Sequence, residues 1–395
     1  MDWYELPSII RSITGQNRVP FGDGSILEVF SNNLSSLDLS SSLSSVRIGY
    51  EICEELWHPD TQSSKLFGYR GCHLVMNGSG SYWELRKLDS AISHACSATS
   101  KSGGVYAYSN NLGCDGGGRL CYYGRSFIVQ NGQILKMTTQ GRETLFDEVE
   151  VAVSWIDPID IQHYRQQKNI LTKSHQVQGN CLIFNADSQN SFLDQNHSDI
   201  TQLKVIKIEN FNILQNTVNV STPVEISIKL QMEEEILRYC SLWLWDYLRR
   251  CLPAIKGFII PLSGGIDSAS VACIVYCLCK LLHQQIAYNN LSVIEQLGSI
   301  INLSLKPSPE EICFKLLRCC YLGTKFSGNE SFARAIKLAN LIGSEFISFN
   351  FTNIFENILN NVPKRVVGTV SNEVTLQQQN VQVSEYCLLF KLFLI

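Results

Sequence analysis

Residues 262–268 read Leu262-Ser263-Gly264-Gly265-Ile266-Asp267-Ser268, a spacing suited to holding an oxyanion. The apolar run Gly257-Phe258-Ile259-Ile260-Pro261 precedes them and a long apolar segment, 269–282, follows. Such a run predicts a buried strand, a glycine loop and a helix start. The glycines let the chain turn so that several backbone N–H groups meet one anion. The positive end of the helix dipole adds to that attraction. The Ser263 and Ser268 hydroxyls can donate to phosphate oxygens. Asp267 would repel a phosphate, so its expected role is through Mg²⁺ or a water. The lysine of a Walker loop is missing, because Ile266 stands in its place. A bare Gly-Gly pair would read as an ordinary turn; these residues between a strand and a helix read as a phosphate cradle.

A second candidate lies in Glu51-Ile52-Cys53-Glu54-Glu55-Leu56-Trp57, where Cys53 closes an apolar strand. A strand-to-turn junction can present a nucleophile while the next backbone N–H faces the oxyanion. The chain has fifteen cysteines, and a buried cysteine usually serves packing alone. Neighbouring carboxylates raise a thiol's pKa, so a thiolate at Cys53 needs a cation from elsewhere in the fold.

The elements that must position these groups follow from periodicity. Strands are expected at 46–52, 72–76 and 105–109. Leu85, Leu88 and Ile92 predict a helix over 82–97. Strands at 126–129 and 134–137 flank Asn131-Gly132, a hairpin turn signal. The Ser-rich stretch 31–45 reads as a surface loop, and the polar stretch 160–225 as a weakly structured connection. The second domain begins near Met232 with a helix over 236–252, whose Trp243 and Trp245 read as core. Ser308-Pro309-Glu310-Glu311 reads as a capping box. Ser327 with Glu330 is expected to cap a helix that ends at Gly343, before a strand at 346–351. Strand–loop–helix units in series predict a parallel sheet covered by helices. The domains expected are 1–165, a connection over 166–230, a nucleotide-binding domain over 231–382, and a tail over 383–395.

Composition narrows the class. At 395 residues, 45% hydrophobic and 17% charged, the chain can bury two cores. A net charge of −4 gives no basic face for nucleic acid. The apolar stretches 271–282 and 386–395 each carry a lysine and are too short to span a bilayer, so no membrane partner is expected. The opening Met1-Asp2-Trp3-Tyr4-Glu5 lacks a signal-peptide pattern. Scattered cysteines, among them Cys273, Cys277 and Cys279, fit reduced core thiols and a cytoplasmic location. Without CxxC pairs and matching histidines, no zinc site is expected.

The loop at 262–268 resembles the SGGxDS loop of the ATP pyrophosphatases, which split ATP into AMP and pyrophosphate. The segment around Cys53 resembles the nucleophile segment of nitrilase-type glutaminases. So do Val75-Met76-Asn77-Gly78-Ser79-Gly80-Ser81, Gly113-Cys114-Asp115 and Leu120-Cys121-Tyr122-Tyr123-Gly124. Together, and with Trp243-Leu244-Trp245-Asp246-Tyr247-Leu248-Arg249-Arg250, they resemble the eukaryotic-type glutamine-dependent NAD⁺ synthetase family from about Trp3 to Gln382.

That resemblance implies a partial nitrilase-type αββα sandwich followed by a Rossmann-like parallel α/β sheet of the ATP pyrophosphatase type. It implies a carbon–nitrogen ligase that takes ammonia from glutamine to amidate deamido-NAD⁺. ATP and Mg²⁺ are used, and NAD⁺, AMP, pyrophosphate and glutamate are formed. Cys53 would be the glutaminase nucleophile, with the Glu54 N–H serving the oxyanion. Glu54, Trp57, Ser81 and Lys87 would line the glutamine pocket. Pro261, Leu262, Ser263, Gly264, Gly265, Ile266, Asp267 and Ser268 would bind ATP, with Ser263 at the centre and Asp267 towards the metal. Asn380 and Gln382 match an N-x-Q string near the deamido-NAD⁺ region. Family members form homo-oligomers.

Departures accompany the match. The family's Glu and Lys partners of the catalytic cysteine fall upstream of Met1, so little glutaminase activity is expected of the chain as given. The tail from Val383 leaves the family pattern, as intron read-through or a mispredicted gene end would. Phe326 and Gly328 also depart from the family's Asn-Ser-Ser pattern. Two alternatives are a GMP- or asparagine-forming ligase, which shares the loop, and a non-catalytic fragment that binds ATP or associates with full-length subunits.

Overall fold

The computed structural model describes residues 2–21, 26–31, 45–115, 120–138, 146, 149–168, 181–185, 203–211, 221–223, 230–251, 255–302, 304–325, 327–350 and 352–361. The chain divides into two compact units, Met1–Met232 and Glu233–Ile395.

The first unit opens with Asp2–Glu5 (β1), Ser8–Thr14 (α1) and Arg18–Phe21 (β2), in which β1 and β2 pair antiparallel. Then come Ile26–Ser31 (β3), Ser45–Ile52 (β4), a 3₁₀ turn at Cys53–Trp57, Gln62–Gly68 (α2), Leu74–Ser79 (β5) and Lys87–Ser102 (α3). Val105–Asn110 (β6), Leu112–Cys114 (β7), Cys121–Tyr123 (β8), Phe127–Gln130 (β9) and Gln133–Met137 (β10) follow. The unit continues with Pro158–Gln167 (α4), Cys181–Asn185 (β11) and Leu203–Phe211 (β12). Its main sheet has eight strands in the order β10-β9-β6-β5-β4-β3-β12-β11. The centre, β4-β5-β6, is parallel. The β9–β10 hairpin turns on Asn131 and Gly132, both at positive φ (51° and 89°), as a type I′ turn requires.

Alternation along β4 and β5 separates two faces. Gly49, Glu51, Val75, Asn77 and Ser79 are buried, and Tyr50, Ile52 and Met76 are exposed. A Cβ at Gly49 would lie 2.9 Å from Leu66 of α2, which places α2 on the buried face. One sheet with its helical layer is half of the nitrilase-type sandwich.

Two expectations are corrected here. The helix expected over 82–97 starts at Lys87, because Trp83 donates its N–H to the Cys121 carbonyl at 2.6 Å and Tyr82 bridges Tyr122. Its buried stripe is Ala91, Ala95 and Thr99, small residues that let helix and sheet approach closely. The stretch 160–225 is not only a connection: it supplies α4, and β11 and β12 extend the sheet, with β12 parallel to β3. Its Asn and Gln content masked the short apolar runs Leu182-Ile183-Phe184 and Val205-Ile206. The Ser-rich loop lies almost wholly outside the described residues.

Arg165, 3% exposed on α4, ties this unit together. Its guanidinium donates to the carbonyls of Gly71 and Cys72 before β5 and of Ser102 and Gly103 after α3. Burial lowers its pKa to about 10, which still leaves it charged at neutral pH. Arg165→Met strips those carbonyls of their donor inside the core. It is expected to cost the first unit about 3 kcal/mol or more, read as a lower urea midpoint for that unit.

The second unit comprises Met232–Arg250 (α5), Phe258–Pro261 (β13), Ile266–Ala287 (α6), Leu291–Ile300 (α7), Pro309–Leu316 (α8), Leu317–Gly323 (β14), Asn329–Ile342 (α9), Glu345–Asn350 (β15) and Thr352–Asn361 (α10). The sheet β13-β14-β15 is parallel throughout. Helix α6 runs 22 residues, longer than its apolar stretch suggested. By length and composition it could cross a membrane, a test that a core helix also passes. Its Ala272, Val275, Leu278, Cys279, Leu281 and Leu282 are buried, and Asp267 and Lys280 are exposed. Trp245 is fully buried on α5, while Trp243 is half-buried and stacks on Tyr247 at 5.5 Å.

Ser308 caps α8 by accepting the Glu311 N–H at 3.2 Å. The reciprocal half of the box is replaced, since the Glu311 carboxylate accepts from Ser304 and Lys315. Gly343 ends α9 at φ 71°. The cap of α9 is Gly328 rather than Ser327. One residue too early to cap, Ser327 accepts the Thr324 N–H at 2.9 Å and closes the turn after β14.

Candidate functional site

Strand β13 ends at Pro261, and the Leu262 N–H still reaches the Cys320 carbonyl on β14 at 2.8 Å. The chain then leaves the sheet at its carboxyl end, where parallel α/β sheets bind ligands. Gly264 takes φ 79°. A Cβ there would sit 2.2 Å from the Ser331 carbonyl oxygen, so only glycine lets the loop lie against the first turn of α9. The Ser263 and Ser268 hydroxyls meet at 3.0 Å, and Ser263 Oγ accepts the Gly265 N–H at 3.2 Å. Ser268 Oγ also receives the Ser263 N–H at 3.2 Å. The two serines thus brace the loop as well as facing outward from it.

Gly265 is the N-cap of α6, with no side-chain hydrogen bond closing the helix end. No cap side chain thus occupies the first-turn N–H groups of this 22-residue helix, the kind of helix end that attracts an anion. A cleft of about 490 Å³ lies between the loop and α9, lined by Leu262, Gly264, Ile266, Ala269, Arg334 and Leu338 among others. That volume suits a small-molecule ligand. Arg334 was not singled out from the sequence; it is one of many helix-surface cations, and only the placement of α9 brings it to the cleft.

In the first unit, Cys53 stands at the carboxyl end of β4 as the first residue of the 3₁₀ turn, at φ 46°. A non-glycine residue at positive φ at a strand-to-helix junction is the geometry that thrusts a nucleophile out of a turn. The thiol is half-buried. Glu55 accepts the Ile52 N–H at 2.5 Å and closes the turn, while Glu54 is exposed. Trp57, at the other end of the turn, packs edge-on to His94 at 5.3 Å. Lys87 Nζ lies 5.9 Å from the Trp57 ring, 3.7 Å from the Tyr82 ring and 2.9 Å from Glu84. Ser81 is buried just beyond β5, its N–H donating to Asn110 Oδ1 at 2.7 Å and its carbonyl accepting from Asn110 Nδ2 at 3.0 Å.

Cys53, Glu54 and Trp57 thus share one turn, Lys87 reaches Trp57, and Ser81 leaves the sheet at the end of the adjacent strand. Residues 261–268 form one continuous loop in the other unit. Asn380 and Gln382 lie outside the described residues. Among the described residues no cluster of three or more His, Cys, Asp or Glu could hold a metal ion. Asp267 can offer one carboxylate at the start of α6, which fits Mg²⁺ held mainly by nucleotide phosphates.

Behind Cys53 lies a buried polar group that the sequence did not announce. Glu51, Asn77 and Tyr106 are each at most 1% exposed. The Tyr106 hydroxyl donates to Glu51 Oε1, and Glu51 Oε2 accepts the Ser63 N–H at 2.7 Å. The available signal was an inverted alternation: Glu51 points into the core while Ile52 is 62% exposed.

Fold and loop define a class: a nitrilase-type half-sandwich followed by a Rossmann-like parallel sheet of the ATP pyrophosphatase type. No family model matches the chain. It is 33% identical over 402 aligned positions to the glutamine-dependent NAD(+) synthetase of Macaca fascicularis, covering 99% of this chain and 50% of that protein. The Homo sapiens protein of the same name is 32% identical, with the same coverage. The Saccharomyces cerevisiae one is 32% identical over 357 positions, 90% of this chain and 44% of that protein. The chain spans about half the length of the curated relatives it matches.

Among solved structures, the glutamine-dependent NAD(+) synthetase of Cytophaga hutchinsonii superposes with a TM-score of 0.54 at 19% identity, over 85% of this chain and 44% of that one. That of Acinetobacter baumannii, solved with ADP, gives 0.51 at 16%, with the same coverage. These two likenesses concern the fold. Over nearly its whole length the chain is similar to proteins named glutamine-dependent NAD(+) synthetase.

Proposed function

We propose that the protein makes NAD⁺ by ATP-dependent amidation of deamido-NAD⁺, taking ammonia from glutamine. The observation that carries this reading is the pairing, in one chain, of a positive-φ cysteine at one strand end with an SGGIDS loop at another. The kinship with named synthetases selects deamido-NAD⁺ as the acceptor.

In this reading the loop 261–268 and the open end of α6 hold the phosphates of ATP, and Arg334 supplies the cation that a Walker lysine would otherwise bring. The acceptor carboxylate attacks the α-phosphorus and pyrophosphate leaves. Ammonia then attacks the activated carboxyl carbon, releasing AMP and leaving the amide. Preorganised N–H groups favour the charge that builds on the leaving phosphates. Mg²⁺ bound on the phosphates beside Asp267 would neutralise part of that charge.

In the first unit, the Cys53 thiolate attacks the side-chain amide carbon of glutamine, and the Glu54 N–H receives the oxyanion. The proton lost by the thiol goes to the leaving nitrogen, which departs as ammonia, and water hydrolyses the thioester to glutamate and the free thiol. Trp57, Ser81 and Lys87 are assigned to the glutamine pocket, Asn380 and Gln382 to deamido-NAD⁺. A homo-oligomer belongs to the same proposal.

Ammonium as nitrogen donor tests the second unit alone. Supplied with deamido-NAD⁺, ATP, Mg²⁺ and ammonium chloride, the protein is expected to form NAD⁺ and AMP in equal amounts. ADP as the product, or amidation of xanthosine monophosphate or aspartate in place of deamido-NAD⁺, would contradict the assignment.

A further inference from the structure

The backbone of Cys53 is gripped by one side chain. Asn77 Oδ1 accepts the Cys53 N–H at 3.2 Å, and Asn77 Nδ2 lies 3.5 Å from the Cys53 carbonyl oxygen. Both polar groups of a residue held at positive φ therefore face the same amide. Asn77 sits on β5 directly opposite Glu51 of β4, two residues before the nucleophile candidate.

An amide can face either way, and here its partners decide. The Tyr106 hydroxyl has one proton, which goes to the Glu51 carboxylate. Burial, reinforced by the charge of Glu51 and the hydrogen bond to it, pushes the phenol far above its usual range, so it keeps that proton. The phenol oxygen can then only accept, and it lies 2.9 Å from Asn77 Nδ2. On the other side, the Cys53 N–H can only donate. The Ser79 hydroxyl also donates to Asn77 Oδ1, at 2.8 Å. Oxygen towards Cys53 and nitrogen towards Tyr106 and Glu51 is the one orientation that satisfies every group. The carboxylate is itself anchored by the Ser63 N–H at the start of α2.

We propose that Asn77 is the positioning residue of the Cys53 turn, and that Glu51 and Tyr106 fix the direction of its amide. Its hydrogen bonds to Cys53 are to the backbone, and it acts by holding the strained turn from which the thiol projects. A buried carboxylate behind the sheet thereby has a purpose beyond packing. The inference rests on the reading of Cys53 as the glutaminase nucleophile.

Two electrophiles separate positioning from mere access. A chloroketone analogue of glutamine must be held in a pocket before it meets the thiol, whereas iodoacetamide alkylates an accessible thiol in any orientation. Labelling of Cys53 in the full chain is followed by peptide mass spectrometry. Asn77→Ala is expected to slow labelling by the analogue about tenfold or more, and Tyr106→Phe about threefold or more. Iodoacetamide labelling of Cys53 is expected to stay within about threefold of the parent in both.

Buried Cys72 and Cys121 report on integrity, because they label with iodoacetamide only if the unit opens. Should Asn77→Ala open it, Tyr106→Phe, which removes a single oxygen, decides the matter. Equal analogue labelling in parent and folded variants would overturn the positioning role while leaving Cys53 as nucleophile. A parent Cys53 that takes iodoacetamide but never the analogue would overturn the nucleophile reading, and the inference with it.

Discussion

Gly264→Ala is expected to abolish ATP binding while leaving the second unit folded. Two independent features converge on this position. Its φ of 79° is one that alanine enters at a cost, and its Cβ would fall 2.2 Å from the Ser331 carbonyl oxygen, inside any allowed contact. Relief requires the loop to lift away from α9. That movement takes the Ser263–Ser268 brace and the open N-terminus of α6 out of register with each other. The strand β13 and the buried face of α6 do not depend on the loop, so thermal unfolding of the second unit should change little. ATP affinity, measured by calorimetry, is expected to fall about 100-fold or more. Gly265 provides the internal comparison. Its φ is −88°, and the nearest atom to a Cβ there is a side-chain oxygen rather than backbone, Ser263 Oγ at 3.3 Å. Gly265→Ala should therefore cost far less. Equal losses at the two positions would mean that the close approach to α9 is not what the loop requires.

Cys53 is expected to be the cysteine that a glutamine-mimicking chloroketone labels first, about tenfold or more ahead of any other described thiol. The contrast comes from the fold. Burial pushes up the thiols of Cys96, Cys240, Cys273 and Cys320, and raises Cys319 to about 11. A hydrogen bond to Cys313, with burial, raises the Cys279 thiol well above its usual range. Cys53 instead projects from a turn at the end of a parallel strand. Glutamine should protect it. Cys53→Ala should remove the small glutamine-driven share of NAD⁺ formation and leave the ammonium-driven rate within about twofold. Loss of both rates together would point to a structural role for the residue. Labelling spread evenly over the cysteines would deny it a special one.

The strand, loop and helix around residues 261–268 were legible because their signals are local. Ser263, Gly264, Gly265 and Ser268 are contiguous, and the flanking apolar runs fix strand and helix around them. Cys53 was legible as a strand end, but its positive φ and its partner Asn77 were not, since 24 residues separate the two. Long-range contacts of this kind depend on register, and register appears only once β4 and β5 pair. Arg334 belongs to the same class, brought to the cleft by α9 rather than announced by its neighbours. The stretch 160–225 misled in the opposite direction. Its polar composition describes the linkers within it and conceals β11 and β12. The start of α3 was missed because Leu85 fits the helical period, yet Trp83 is already committed to the Cys121 carbonyl.

In the proposed reaction the loop 261–268 serves an α-phosphoryl attack by the carboxylate of deamido-NAD⁺. Exchange of labelled pyrophosphate into ATP measures that step with the nitrogen donor withheld. Label is expected in ATP only when deamido-NAD⁺ is present, and the exchange is expected to be lost in Gly264→Ala. Exchange that needs no deamido-NAD⁺, or that survives unchanged in Gly264→Ala, would contradict it.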